Sequence, residues 1–143
     1  MNRRGFLEAL TRLAATTLGG FVLYPVVRYL IPPPTPEAAT RRVVAARKDE
    51  IAPGTFKIFP FGGQPGLLIR TADGNYRAFS AVCTHLGCTV QYKPGQNAIW
   101  CACHNGMYDL EGRNISGPPP RPLEPYDVHV SEGEIVVEKS KTT

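Results

Sequence analysis

The chain reads as an all-β domain of small antiparallel sheets, barrel-like in size, preceded by one N-terminal transmembrane helix. Three observations point there. The first 31 residues hold one long apolar run, and beyond residue 40 apolar residues come only in short runs of strand length. Gly and Pro number 14 each in 143 residues, a density that favours turns over long helices. Hydrophobic residues make up 43% of the chain, enough for one packed core.

The net charge is +4, but Arg3, Arg4, Arg12, Arg28, Arg41, Arg42, Arg47 and Lys48 all lie in the first third. Beyond residue 50 basic and acidic residues nearly balance. The basicity therefore belongs to the N-terminal segment and its membrane context, and nucleic acid is not an expected partner.

The first element covers residues 1–31. Asn2-Arg3-Arg4-Gly5-Phe6-Leu7 resembles a twin-arginine (Tat) export signal. Leu13 to Val27 carries no charge, and Leu13 to Ile31 is 19 residues, close to the roughly 20 that span a bilayer, with Arg28 reaching the interface. A cleavable signal would instead end in small residues at the first and third positions before the cut. Cutting after Ala38 places Pro36 at the third position and cutting after Ala39 places Glu37 there, so the segment is expected to stay as an anchor. The following Pro-Pro-Pro-Thr-Pro-Glu-Ala-Ala favours polyproline II and opens a tether assigned to residues 32–46, with the folded domain at residues 47–143.

Strand composition appears at Arg42-Val43-Val44-Ala45, Thr55 to Phe59, Leu67 to Arg70 and Tyr76 to Phe79. It recurs at Thr89 to Tyr92, Ile99-Trp100, Tyr126 to Val130 and Glu134 to Glu138. Asp73-Gly74-Asn75, Pro94-Gly95, Glu111-Gly112 and Glu132-Gly133 punctuate them as turns.

The chemistry concentrates in two boxes, Cys83-Thr84-His85-Leu86-Gly87-Cys88 and Cys101-Ala102-Cys103-His104-Asn105-Gly106-Met107-Tyr108. All 4 cysteines and two of the 3 histidines lie in them. Thiolate with imidazole suits iron–sulfur clusters, zinc or copper. A structural zinc site usually groups like ligands, C-x2-4-C with H-x3-5-H, whereas each box here is mixed.

The first box is identical to the C-T-H-L-G-C of the Rieske iron–sulfur family, and the second closely resembles its C-x-C-H. Residues 24–33 resemble the anchor end of cytochrome bc- and b6f-type Rieske subunits, and Gly117-Pro118-Pro119-Pro120 resembles the proline loop over the cluster. The resemblance implies one [2Fe–2S] cluster, with Cys83 and Cys101 on one iron and His85 and His104 on the other. It further implies a Cys88–Cys103 disulfide joining cluster-binding loops 83–88 and 101–108, with loop 117–120 on a third side. Tyr108 would donate a hydrogen bond to a ligand sulfur, expected to be that of Cys83, while Leu86 and Pro119 shield the cluster.

Many quinol-oxidising relatives carry a serine where Gly106 stands, its hydroxyl donating to a bridging sulfide. A hydrogen bond to a charged group is worth about 1.5–3 kcal/mol. At about 59 mV per 1.4 kcal/mol, its absence lowers the potential by at most roughly 60–130 mV. A lower-potential centre suits menaquinol.

By this resemblance the chain is an electron-transfer subunit that takes an electron from quinol at His104. It would pass that electron to a c-type cytochrome or plastocyanin-like acceptor, beside a cytochrome b-type subunit. The expected place is the bacterial cytoplasmic membrane, single-pass in the lipid bilayer, with the cluster on the periplasmic or outer side, where a disulfide persists. A small subunit of another exported oxidoreductase such as arsenite oxidase is the alternative. An oxygenase-type ferredoxin or a zinc module fits less well. His129 and Arg121 read as ordinary strand and solvent residues, and Trp100 as core.

Overall fold

The computed structural model describes residues 2–31 and 41–140. The proline-rich start of the expected tether lies outside the described residues. The chain divides into two compact units, an N-terminal helix and a β domain.

Helix α1 runs from Arg3 to Leu30, and the side chain of Asn2 caps it by accepting from the Gly5 N–H at 3.0 Å. No residue of α1 is buried, and it is long and apolar enough to cross a membrane. Its polar side chains are folded inward: the Thr16 hydroxyl donates to the Arg12 carbonyl and that of Thr17 to the Leu13 carbonyl. Such back-bonding satisfies hydroxyls that lipid could not solvate.

Among the described residues the β domain has ten strands. They are β1 (Arg42–Arg47), β2 (Thr55–Phe61), β3 (Gln64–Arg70), β4 (Tyr76–Ser80), β5 (Gln91–Lys93), β6 (Ala98–Cys101), β7 (Gly106–Tyr108), β8 (Asn114–Ser116), β9 (Pro125–Ser131) and β10 (Glu134–Lys139). Six form an antiparallel sheet in the order β1-β10-β9-β4-β3-β2, and four a second in the order β5-β6-β7-β8. The edge strands β1 and β2 touch, so the larger sheet curls almost into a barrel.

β1 starts inside the stretch assigned to the tether, because Val43 and Val44 pair with Val137 and Val136 of β10. β7 and β8 were not expected, since Gly106, Met107 and Asn114 carry little strand signal; they exist because β7 pairs with β6 and β8 with β7. In the Pro94-Gly95 turn the left-handed residue is Asn97 (φ 48°) rather than the glycine. Glu132 and Gly133 both have positive φ, the pattern of a tight two-residue hairpin between β9 and β10.

Two cores share strand β3. Leu68 joins Phe59, Phe61, Ala78, Tyr126, Ile135 and Val137 inside the curled sheet. Leu67 and Ile69 point the other way, into a layer with Phe79, Val90, Tyr92, Ile99, Tyr108, Leu123, Cys83 and Cys101. Period-two alternation thus buries β3 on both faces, and all three of these residues are 0% exposed. The second layer is the floor of the cysteine–histidine loops. Leu68→Ala should lower stability by about 2–5 kcal/mol in a denaturant titration while leaving those loops intact.

Candidate metal centre

Both boxes are presented by short, hydrogen-bonded turns. In the first, Cys83 N–H donates to the Cys88 carbonyl at 2.8 Å, Gly87 N–H donates back to the Cys83 carbonyl at 3.0 Å, and a Val82–Thr89 bridge closes the base. Gly87 takes the left-handed conformation this turn needs (φ 77°). The second is a hairpin end, in which Cys101 pairs with Gly106 and residues 102–105 form the loop.

The structure places Cys83 and Cys101 in one core layer and His85 beside His104, and it sorts the four by exposure. Cys83 and Cys101 are free thiols, 3% and 2% exposed, set in the core layer. His85 is half-buried and His104 exposed, with ring centroids 4.8 Å apart and nearly perpendicular. The Nδ1 of His85 is buried with no hydrogen-bond partner among the described residues. A buried ring nitrogen without a partner is costly unless it binds something, so this atom has the character of a ligand.

Cys88 and Cys103 form a disulfide across the two loops, with S–S 2.09 Å. The sulfurs of Cys88, Cys101 and Cys103 lie within 4.8 Å of one another, a spacing that would suit a metal. Two of them are already bonded to each other and are not thiolates, so this trio is the disulfide lying against Cys101. The available donors are then two thiols and two imidazoles, a soft asymmetric set that fits a [2Fe–2S] cluster with unlike irons.

Tyr108, 0% exposed, ties three segments together. Its hydroxyl is 3.3 Å from the Cys83 sulfur and accepts from the Thr84 N–H at 3.1 Å. The Thr84 hydroxyl donates to the Arg121 carbonyl at 2.7 Å, so the one phenolic hydrogen is left for the Cys83 sulfur or the Thr84 oxygen. Burial pushes the Cys83 thiol up, but hydrogen bonds from Tyr108 and from the backbone of His85 outweigh it and hold it below the ordinary thiol value. Burial, with Cys83 beside it, keeps Cys101 above that value.

The proline loop packs where side chains are missing. A Cβ on Gly117 (φ 86°) would lie 2.8 Å from the Gly106 Cα, and one on Gly106 would lie 2.6 Å from Pro119 Cγ. Pro119 is buried there, and its carbonyl accepts from Asn114 Nδ2 at 3.1 Å. Gly106 therefore seats Pro119, which the sequence did not reveal, and a serine at 106 cannot enter without moving the loop.

Leu86 stands at the tip of the first loop, 70% exposed. Arg121 is exposed and its side chain has no ion pair among the described residues; His129 is exposed on β9, opposite Val136. Trp100 departs from the core expectation. Ile99 and Cys101 point into the core layer, so alternation turns Trp100 to the other face, where it is half-buried, beneath Lys93 and bonded to Asn105.

Fold and site together define a small all-β domain that holds a metal cluster between two covalently joined loops. A family profile described as the Rieske [2Fe–2S] domain matches residues 41–127, and the chain belongs to that family. Its cofactor is a [2Fe–2S] cluster. The chain is 36% identical over 135 residues to the cytochrome b6-f complex iron–sulfur subunit of Chlorobaculum tepidum, covering 94% of this chain and 74% of that relative. Among solved structures it resembles a chain of a hyperthermophilic respiratory Complex III, with TM-score 0.56 and 28% identity, covering 89% of this chain and 98% of that one. It also resembles the ferredoxin of carbazole 1,9a-dioxygenase from Nocardioides aromaticivorans, with TM-score 0.61 and 27% identity, covering 70% and 99%.

With the phenolic hydrogen directed at the Cys83 sulfur, removing the Tyr108 hydroxyl would take away a donor that favours a more negative, reduced cluster. Tyr108→Phe should lower the reduction potential by up to roughly 60–130 mV in a redox titration, from about 1.5–3 kcal/mol per charged hydrogen bond. An unchanged or higher potential would contradict the role given to this phenol.

Proposed function

We propose that the chain is the electron-transfer subunit of a quinol-oxidising cytochrome bc- or b6f-type complex. The observation that carries the reading is the sorting of the site: two buried thiols below and an exposed imidazole above, on a chain that also bears one helix fit to span a membrane. The likeness to b6-f iron–sulfur subunits across nearly the whole chain supports it over the likeness to the dioxygenase ferredoxin, which covers a smaller share.

In this reading Cys83 and Cys101 bind one iron and His85 and His104 the other. When bound, the cluster supplies one-electron exchange. His104, exposed at the loop tip, hydrogen-bonds a quinol hydroxyl and takes up its proton. Leu86, exposed next to His85 on the first loop, offers apolar contact to the ring of the quinol or to the pocket of a cytochrome b partner. Tyr108 and Pro119 hold the site closed from within and from the side. The acceptor is a c-type cytochrome or plastocyanin-like protein. The helix anchors the chain in the bacterial cytoplasmic membrane by a retained twin-arginine-like signal, with the domain on the oxidising outer face where Cys88–Cys103 persists.

Affinity isolation of the tagged chain from its own membranes tests the assembly. Haem b and quinol-dependent reduction of a c-type cytochrome should co-purify; an arsenite-oxidising partner without haem b would favour the alternative complex.

The menaquinol assignment rests on Gly106. Because any Cβ at 106 displaces Pro119, the informative comparison is Gly106→Ser against Gly106→Ala, which share the displacement and differ by one hydroxyl. The serine variant should titrate higher than the alanine variant by up to roughly 60–130 mV. Equal potentials would remove the basis for assigning a low-potential quinol.

A further inference from the structure

His104 lies between two residues that are each pinned, and the second pin is not part of either cysteine–histidine box's ligand set. On its N-terminal side Cys103 is bonded to Cys88. On its C-terminal side Asn105 holds a left-handed backbone, φ 55°. A side chain makes that conformation unfavourable, although asparagine tolerates it better than most residues. The Asn105 Oδ1 accepts a hydrogen bond from the indole Nε1–H of Trp100 at 2.7 Å.

Trp100 is well placed to act as a fixed point. It sits on β6, paired with Met107 of β7 and Gln91 of β5, so its backbone is held on both sides. The ammonium of Lys93 lies 3.4 Å from the centre of its ring. A cation on the ring face fixes the plane of the indole and draws electron density from it, which strengthens the N–H as a donor. The indole thus reaches from strand β6 to the last residue of the loop.

We infer that Trp100 is a positioning residue for His104: through Asn105 it holds the left-handed turn that sets the direction of the exposed imidazole. The disulfide fixes where the loop stands, and the Trp100–Asn105 bond fixes how its last residues turn. This inference rests on the reading of His104 as a cluster ligand.

The test is a mutant cycle in the full-length, detergent-solubilised chain, read by the EPR line widths of the reduced cluster. Trp100→Phe leaves an aromatic side chain near Lys93 but removes the N–H donor and part of the ring, while Asn105→Gly keeps access to the left-handed turn and removes the acceptor with its side chain. Each single variant should broaden the lines, the double variant should broaden them no further than either single one, and Asn105→Asp, which keeps an acceptor, should match the parent. Parent-like lines in Trp100→Phe, or broadenings that add in the double variant, would overturn the inference. If a variant loads poorly, the same cycle is read as the fraction of chains carrying a cluster, where equal losses in single and double variants support the inference and additive losses refute it. His104→Ala separates the underlying assignment: a Rieske-type signal surviving in that variant removes His104 as a ligand whatever Trp100 does.

Discussion

The site depends on one constraint: two separate loops must bring thiols and imidazoles to one place. The Cys88–Cys103 bond supplies it, linking residues 15 apart so that His85 and His104 face one another across 4.8 Å. Without a covalent link, two exposed turns would each sample many arrangements, and the cost of ordering them would fall on cluster binding. The glycines of the third loop complete the enclosure, since Gly117 lets backbone approach backbone at Gly106.

Beneath that clasp the two sheets divide the work. The curled six-stranded sheet has its own core around Leu68 and Ile135 and does not need the cluster loops to be packed. Its other face, with Leu67, Ile69 and Phe79, meets the four-stranded sheet, and Cys83 and Cys101 belong to that shared layer. The thiols are therefore placed with the precision of core side chains, while the histidines stand on loops at the solvent edge. That asymmetry is what an electron carrier requires: a shielded redox centre with one accessible edge.

Much of this was legible in the sequence. The apolar run marked α1, the alternating β-branched runs marked the strands of the larger sheet, and the clustering of every cysteine in two boxes marked the site. What escaped were features that arise from pairing and close contact. β7 and β8 have weak strand composition and exist because β6 pairs with β7 and β7 with β8. The start of the domain was set too late because proline content masked β1, whose valines were nonetheless recognised as a strand. Gly106 read as a missing hydroxyl, and only the packing of Pro119 showed what the glycine accommodates. Trp100 read as core, but Ile99 and Cys101 are the β6 residues that enter the buried layer, so Trp100 faces the other way.

The central claim is that two imidazoles and two thiolates of this chain hold the cluster. Pulsed nuclear double resonance on the reduced protein, grown with 15N-labelled histidine, tests it most directly. The account predicts strong coupling to two histidine nitrogens, both attributable to His85 and His104 because substituting either one removes a coupling. Coupling to no histidine nitrogen, or two couplings that survive both substitutions, would contradict it.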